Sequence, residues 1–179
     1  MSVLAISWFA FPPVLAQIEK GYNLVGGSAS IGLNTDRFSI YIGPDLGCFV
    51  RDRLAVGASL PIYFSDSEFS TTFSISVMPF IRYYFGESKT KFFVHGGLGI
   101  GSSSYTYTAN GGKEKDTDFE FNSDLRAGIA HFITDQVALE AVLRYQSFDI
   151  FDDYFGSFGI AVGLQIHIFR LFKGGGDTD

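Results

Sequence analysis

Three acids and three arginines carry the chemistry most open to interpretation: Asp45, Asp124, Glu140, Arg82, Arg126 and Arg144. They sit inside hydrophobic stretches, where a charge needs a partner, so the types suit ion pairing. The three histidines, His95, His131 and His167, are 36 residues apart each time, which is no metal-ligand spacing. No Ser/His/Asp set can be assembled from sequence distance alone. Gly97-Leu98-Gly99-Ile100-Gly101 superficially resembles a nucleotide-binding glycine run. That motif needs a strand–turn–helix context to offer a helix N-terminus to phosphate, and here the glycines continue a strand. Gly111-Gly112-Lys113 lacks the rest of a P-loop. Cys48, the single cysteine, rules out an intramolecular disulfide and reads as a small hydrophobe. No cofactor and no metal are expected.

The elements that position these residues follow period two. Apolar residues recur at every second position in eight runs, which begin at Val25, Phe38, Leu54, Phe73, Phe92, Phe121, Val137 and Phe158. Strict alternation is the signature of a strand with two unlike faces. Eight such runs in succession predict an all-β, antiparallel, up-and-down barrel of eight strands. Pro44 and Pro79 lie well inside their runs, and each predicts a bulge or a missing ladder bond. Arg51–Arg53, Gly86–Thr90 and Ile133–Gln136 read as tight turns. Ser65–Thr72, Tyr107–Glu120 and Asp149–Phe155 read as longer, more acidic loops, while Asn34–Arg37 is short.

Alternation does not say which face is outside, but charge does. The chain has 179 residues, of which 18% are charged, 46% hydrophobic and 17% aromatic, with a net charge of −6. The apolar face of the eight runs holds no Asp, Glu, Lys or Arg. The opposite face holds only the six Asp, Glu and Arg residues named above, set among Gly, Ser, Ala and Tyr. A water-facing surface is roughly a quarter to a third charged, so this second face is a crowded barrel interior rather than a surface. The apolar face then meets lipid, with Phe and Tyr at the run ends as interfacial girdles. A soluble lipocalin-like barrel is the architectural rival and predicts folding without detergent. The acidic balance argues against nucleic acid. Residues 1–16 read as a signal peptide, apolar from Val3 to Leu15 except for Ser7 and ending Val14-Leu15-Ala16, although no Lys or Arg precedes Lys20. The barrel is assigned to 17–172 and a tail to 173–179.

Across the last hairpins, a turn leaving Ile133–Asp135 unpaired places Asp124 opposite Arg144 and Glu140 diagonal to Arg126. Phe85 opposite Phe92 brings Arg82 beside His95. The expectation is a lumen network of Arg82, His95, Asp124, Arg126, Glu140 and Arg144 that plugs the barrel. A gated pore is the functional alternative.

Phe92–Gly101, Arg126–Phe132 and the final run Phe158–Phe169 resemble small outer-membrane β-barrel proteins of Gram-negative bacteria, the OmpA-barrel and OmpX-like group. The resemblance covers roughly Gly21 to Phe169 and is specific for architecture rather than activity. It implies a monomer in the outer membrane, contacting lipid and lipopolysaccharide and delivered by the barrel-assembly machinery. Such proteins end on an aromatic residue; here Phe172, with lipid-facing parity, is followed by seven more residues. A structural or surface-contact role is expected, with a narrow solute pore or a lipid-modifying enzyme as alternatives. The loops Ser65–Thr72 and Tyr107–Glu120 are the expected contact surfaces. Loop acids such as Asp66, Glu114 and Asp152 are candidates for bridging cations on lipopolysaccharide.

Overall fold

The computed structural model describes residues 18–68, 70–109, 112–147 and 156–169, so the expected signal segment, the tail and the Asp149–Phe155 loop lie outside the described residues. The strands are β1 (Tyr22–Asn34), β2 (Arg37–Arg51), β3 (Leu54–Ser59), β4 (Ile62–Ser67), β5 (Ser70–Phe85), β6 (Thr90–Ala109), β7 (Gly112–Phe132), β8 (Val137–Ser147) and β9 (Ser157–Phe169). Neighbours pair antiparallel, and β9 returns to β1 through pairs from Tyr22↔Phe169 to Ala29↔Val162. The sheet is therefore a ring.

Nine strands occupy eight wall positions. β3 and β4 both lie between β2 and β5, and they keep one register: Asp45↔Ser59 and Ile42↔Ile62 on one side, Ser59↔Met78 and Ile62↔Ile75 on the other. Pro61 splits them because it has no N–H to give. Its carbonyl still accepts from the Ser76 N–H at 3.0 Å, and the Leu60 N–H reaches the Pro44 carbonyl at 2.9 Å. At Pro79 the β5–β6 ladder runs from Val77↔Ile100 to Phe80↔Gly97 without the two pairs between, and the register is unchanged. The prolines thus cost ladder bonds, as expected, without shifting the strands. The irregularity in the β2–β3 register lies instead at Phe49/Arg51, beside the turn that holds Arg53 at φ 66°.

The faces divide as the alternation predicts. Leu46, Val77, Ile81, Leu98, Leu125 and Leu143 point outward and are exposed, while Asp45, Arg82, Asp124, Arg126, Glu140 and Arg144 point inward and are buried. Two expected loops are corrected. β4 runs to Ser67 and β5 starts at Ser70; β6 and β7 pair all the way to Ala109↔Gly112. Most of Ser65–Thr72 and Tyr107–Glu120 is therefore ladder. Apolar alternation fails there because both faces are wet, while cross-strand pairs such as Thr106↔Lys115 and Tyr105↔Asp116 still form. A long two-stranded projection results at the end of the barrel opposite Tyr22 and Phe169.

Candidate functional site: the barrel interior

The lumen is filled in three layers. The layer nearest the termini is apolar: Leu24, Phe49, Tyr84, Phe93 and Phe132 pack in one cluster, and Ile18 folds under it. The Ile18 carbonyl accepts from the Arg53 N–H at 2.7 Å, which ties the incoming chain to the β2–β3 turn. His167 sits among these rings, 5.4 Å from Phe49 and 5.2 Å from Phe132 between centroids.

The middle layer is ionic, and its centre is Asp45. Parity puts Asp45 inside, and it is fully buried. Its carboxylate accepts from Arg126 Nη1 at 2.9 Å and from Arg82 Nη2 at 3.3 Å. Ser59 Oγ also donates to it, and Gln165 Nε2 does so at 3.4 Å. Arg82 reaches across the lumen to Glu140 at 3.1 Å, and its Nε donates to His95 Nδ1 at 3.2 Å. His95 stacks on Phe80 at 4.5 Å, and the Arg82 guanidinium lies 4.6 Å over the Phe93 ring. Arg126 Nε donates to Asp124 Oδ2 at 2.7 Å. Side chains of β2, β5, β7, β8 and β9 are thus tied together at one level, where low dielectric strengthens each charged bond and penalises an unpaired group.

The third layer is uncharged except at its top. Ser74 and Ser103 hydroxyls meet at 2.7 Å, Asn122 Nδ2 donates to Ser76 Oγ at 2.8 Å, and Glu120 accepts from Ser103 Oγ and Tyr105 Oη at 2.9 and 3.0 Å.

Against the expected network, the structure places Phe85 opposite Phe92 and Arg82 opposite His95. It does not place Asp124 opposite Arg144. The β7–β8 ladder ends at Phe132↔Ala138, so Ile133–Val137 are all outside it. Thr134 widens this turn: its Oγ1 accepts from the Val137 N–H at 3.0 Å, while the Ile133 N–H reaches the Val137 carbonyl at 2.9 Å. The two extra residues preserve parity but slide β8 by a pair. Arg144 then faces Arg126, Asp124 faces Gln146, and Glu140 faces Ala130 rather than lying diagonal to Arg126. Glu140 finds Arg82 across the barrel instead. Arg144 turns away from the carboxylates and lies over the Tyr41 ring, 3.3 Å from its centroid. Asp45, Gln165 and Tyr84 belong to the network although they were not in the expected set. Their inward parity was readable, but contacts across a lumen leave no sequence spacing to find.

The outermost histidine, His131, shares a hydrogen bond of 2.9 Å with Thr90 at the terminal end. The glycine run lies in β6, and a Cβ on Gly99 would strike the Val77 carbonyl and the Met78 backbone. These glycines make room for the neighbouring wall rather than for a nucleotide. Among the described residues no three His, Cys, Asp or Glu converge as metal ligands.

Comparison with known proteins places this geometry. The N-terminal β-barrel domain of Pseudomonas aeruginosa OprF is similar at a TM-score of 0.59 with 14% identity, covering 83% of this chain and 98% of that one. Neisserial surface protein A is similar at 0.56 with 16% identity, covering 82% and 97%. At these identities the likeness is one of fold. No curated protein matches the sequence. The family model described as "Outer membrane protein beta-barrel domain" matches residues 1–165. A closed ring of strands with an apolar exterior and a charged, bonded interior therefore has a name: the chain belongs to the outer-membrane β-barrel family and is a protein of the bacterial outer membrane.

Proposed function

We propose that the protein is a closed, non-enzymatic barrel: a structural or surface-contact element whose lumen is plugged by internal ion pairs. Asp45, with no exposed surface and bound to both Arg82 and Arg126, is the observation that carries this reading. A water-filled pore leaves its charged groups hydrated, whereas here arginine and carboxylate spend their bonds on each other across the bore. The apolar layer of Phe49, Tyr84, Phe93 and Phe132 reinforces the seal on the terminal side. The lumen histidine nearest the acids is already held by Arg82 and stacked on Phe80, which suits packing better than proton transfer.

The contact surface is the β6–β7 projection, where Glu114, Asp116 and Asp118 face water with Lys115 between them. It points away from the membrane, opposite the termini. Outer-membrane lipid and lipopolysaccharide are its surroundings, the barrel-assembly machinery its route of insertion, and the monomer its working state; no cofactor is involved. Planar-bilayer recording of the purified protein tests the plug. The expected trace shows no resolved unitary steps. Reproducible openings from the folded, heat-modifiable form would instead establish the narrow pore.

A further inference from the structure

The ring closes through only part of its last seam. β1 and β9 pair from Tyr22↔Phe169 up to Ala29↔Val162, and there the ladder stops. Both strands continue: β1 to Asn34, paired with β2, and β9 back to Ser157, paired with β8. Continuing the same register would set Ser30 against Ala161, Ile31 against Ile160 and Leu33 against Phe158, and none of these pairs forms. The side chains flanking this stretch are among the most open of the outer face, with Leu33 at 81% and Ile160 at 79% exposure. On the lumen side a Cβ on Gly159 would meet nothing within 4 Å. A slit therefore runs through the wall in its upper half, bordered by apolar residues. Open strand edges are not tolerated against hydrocarbon unless something polar covers them or they line a cavity.

Behind the slit lies the one lumen arginine without a carboxylate among the described residues. Arg144 stands beside Gly159 in the β8–β9 ladder, and its guanidinium crosses behind β9 and β1 to rest on Tyr41 of β2. Its Nη1 is buried and has no hydrogen-bond partner among the described residues. It faces Arg126 on the neighbouring strand, whose charge Asp45 and Asp124 already answer. Among the described residues, two arginines stand opposite one another with acids on only one, which leaves a donor for an anion. Below the slit, on the outer face, an apolar groove of about 360 Å³ continues down the same seam over Gly27 and Gly163, between Ala29, Leu139, Val162 and Leu164.

We propose that this seam binds a single-chain anionic amphiphile: a carboxylate head enters through the slit to Arg144, and its alkyl chain lies in the groove against the bilayer. The idea goes beyond the plugged-barrel reading and is compatible with it, since the ionic layer and the ring cluster lie between this site and the terminal end. One cation with a free donor suits a monoanionic head. The slim opening between two strands suits one chain. The groove opens onto acyl chains, so an alkyl tail reaches it without crossing water.

The test uses the full protein in phosphatidylcholine vesicles with a twelve-carbon carboxylate bearing a diazirine in its chain, photolysed and mapped by mass spectrometry. Adducts are expected on Ser30–Leu33, Ser157–Ala161 and the groove. They should fall at least tenfold in Arg144→Gln, persist in Arg144→Lys, and fall at least tenfold with the matching alcohol. Gly159→Phe fills the space behind the slit without removing the charge and should also abolish them; heat-modifiable migration confirms that each variant is folded. Adducts spread evenly around the apolar band, or equal labelling in wild type and Arg144→Gln, would overturn the proposal. Channel recordings are independent of this result, so the plug and the seam site fail separately.

Discussion

Asp45 shows what a single buried charge does in this barrel. It takes hydrogen bonds from two arginines of two other strands, so removing its charge leaves Arg82 and Arg126 each short of a partner where water does not reach. Asp45→Asn keeps the volume and should still destabilise the folded barrel by about 3–5 kcal/mol, the range for breaking one side of a buried ion pair. Reversible urea unfolding in vesicles measures it. The exposed pair Arg53–Glu87, 3.3 Å apart, supplies the contrast. Glu87→Gln should change stability by no more than about 1 kcal/mol, because solvent screens the pair and its side chains pay entropy to meet. Equal effects of the two substitutions would mean that the lumen is wet and that the charge network does not seal it.

Strands and turns carry a second set of consequences. Gly96 and Gly99 lie three positions apart in β6 with opposite duties. Gly96 faces outward, where an added Cβ would only touch Leu125 Cδ2 at 3.6 Å, whereas Gly99 faces inward against backbone of β5. Gly96→Ala should fold as wild type. Gly99→Val should lose several kcal/mol, or fail to reach the heat-modifiable form, because the backbone it strikes cannot yield as a side chain can. At the β2–β3 turn, Arg53 holds φ at 66°, a region that suits glycine better. Arg53→Gly should be neutral or stabilising by up to about 1 kcal/mol in the same urea assay, since the backbone bonds of Arg53 to Ile18 and Tyr84 remain. A loss greater than that would show that the side chain, not the backbone, sets this turn.

The same elements show why part of the molecule was legible in its sequence. Each wall strand buries one face only, so period two wrote the strands, their facing and their order into the chain. Register was legible where a turn was tight, as at Phe85↔Phe92. It was misread where Thr134 stabilised a wider turn, and that one error exchanged the partners of Asp124 and Arg144. The β6–β7 projection read as loop because, beyond the apolar band, no face is buried and hydropathy carries no period. Asp45 was visible as an inward charge, but its role was not, because Arg82 and Arg126 approach it across the bore rather than along the ladder.

At the scale of the whole molecule, every side-chain choice follows from having solvents reversed. Outside, Leu, Ile, Val and Phe carry no charge across the band; inside, arginine and acid neutralise one another between an apolar floor and a layer of serines. This order is the inverse of a soluble barrel and is stable only if the outer face is in hydrocarbon. The chain supplies its own probe: Cys48 is its single cysteine, points outward and is exposed. A nitroxide attached to Cys48 in the native sequence and reconstituted in vesicles reports which solvent bathes that face. High collision frequency with oxygen and little with a water-soluble nickel chelate is the predicted result. Ready access of the chelate to Cys48 in the folded, vesicle-bound protein would contradict a lipid-wetted exterior.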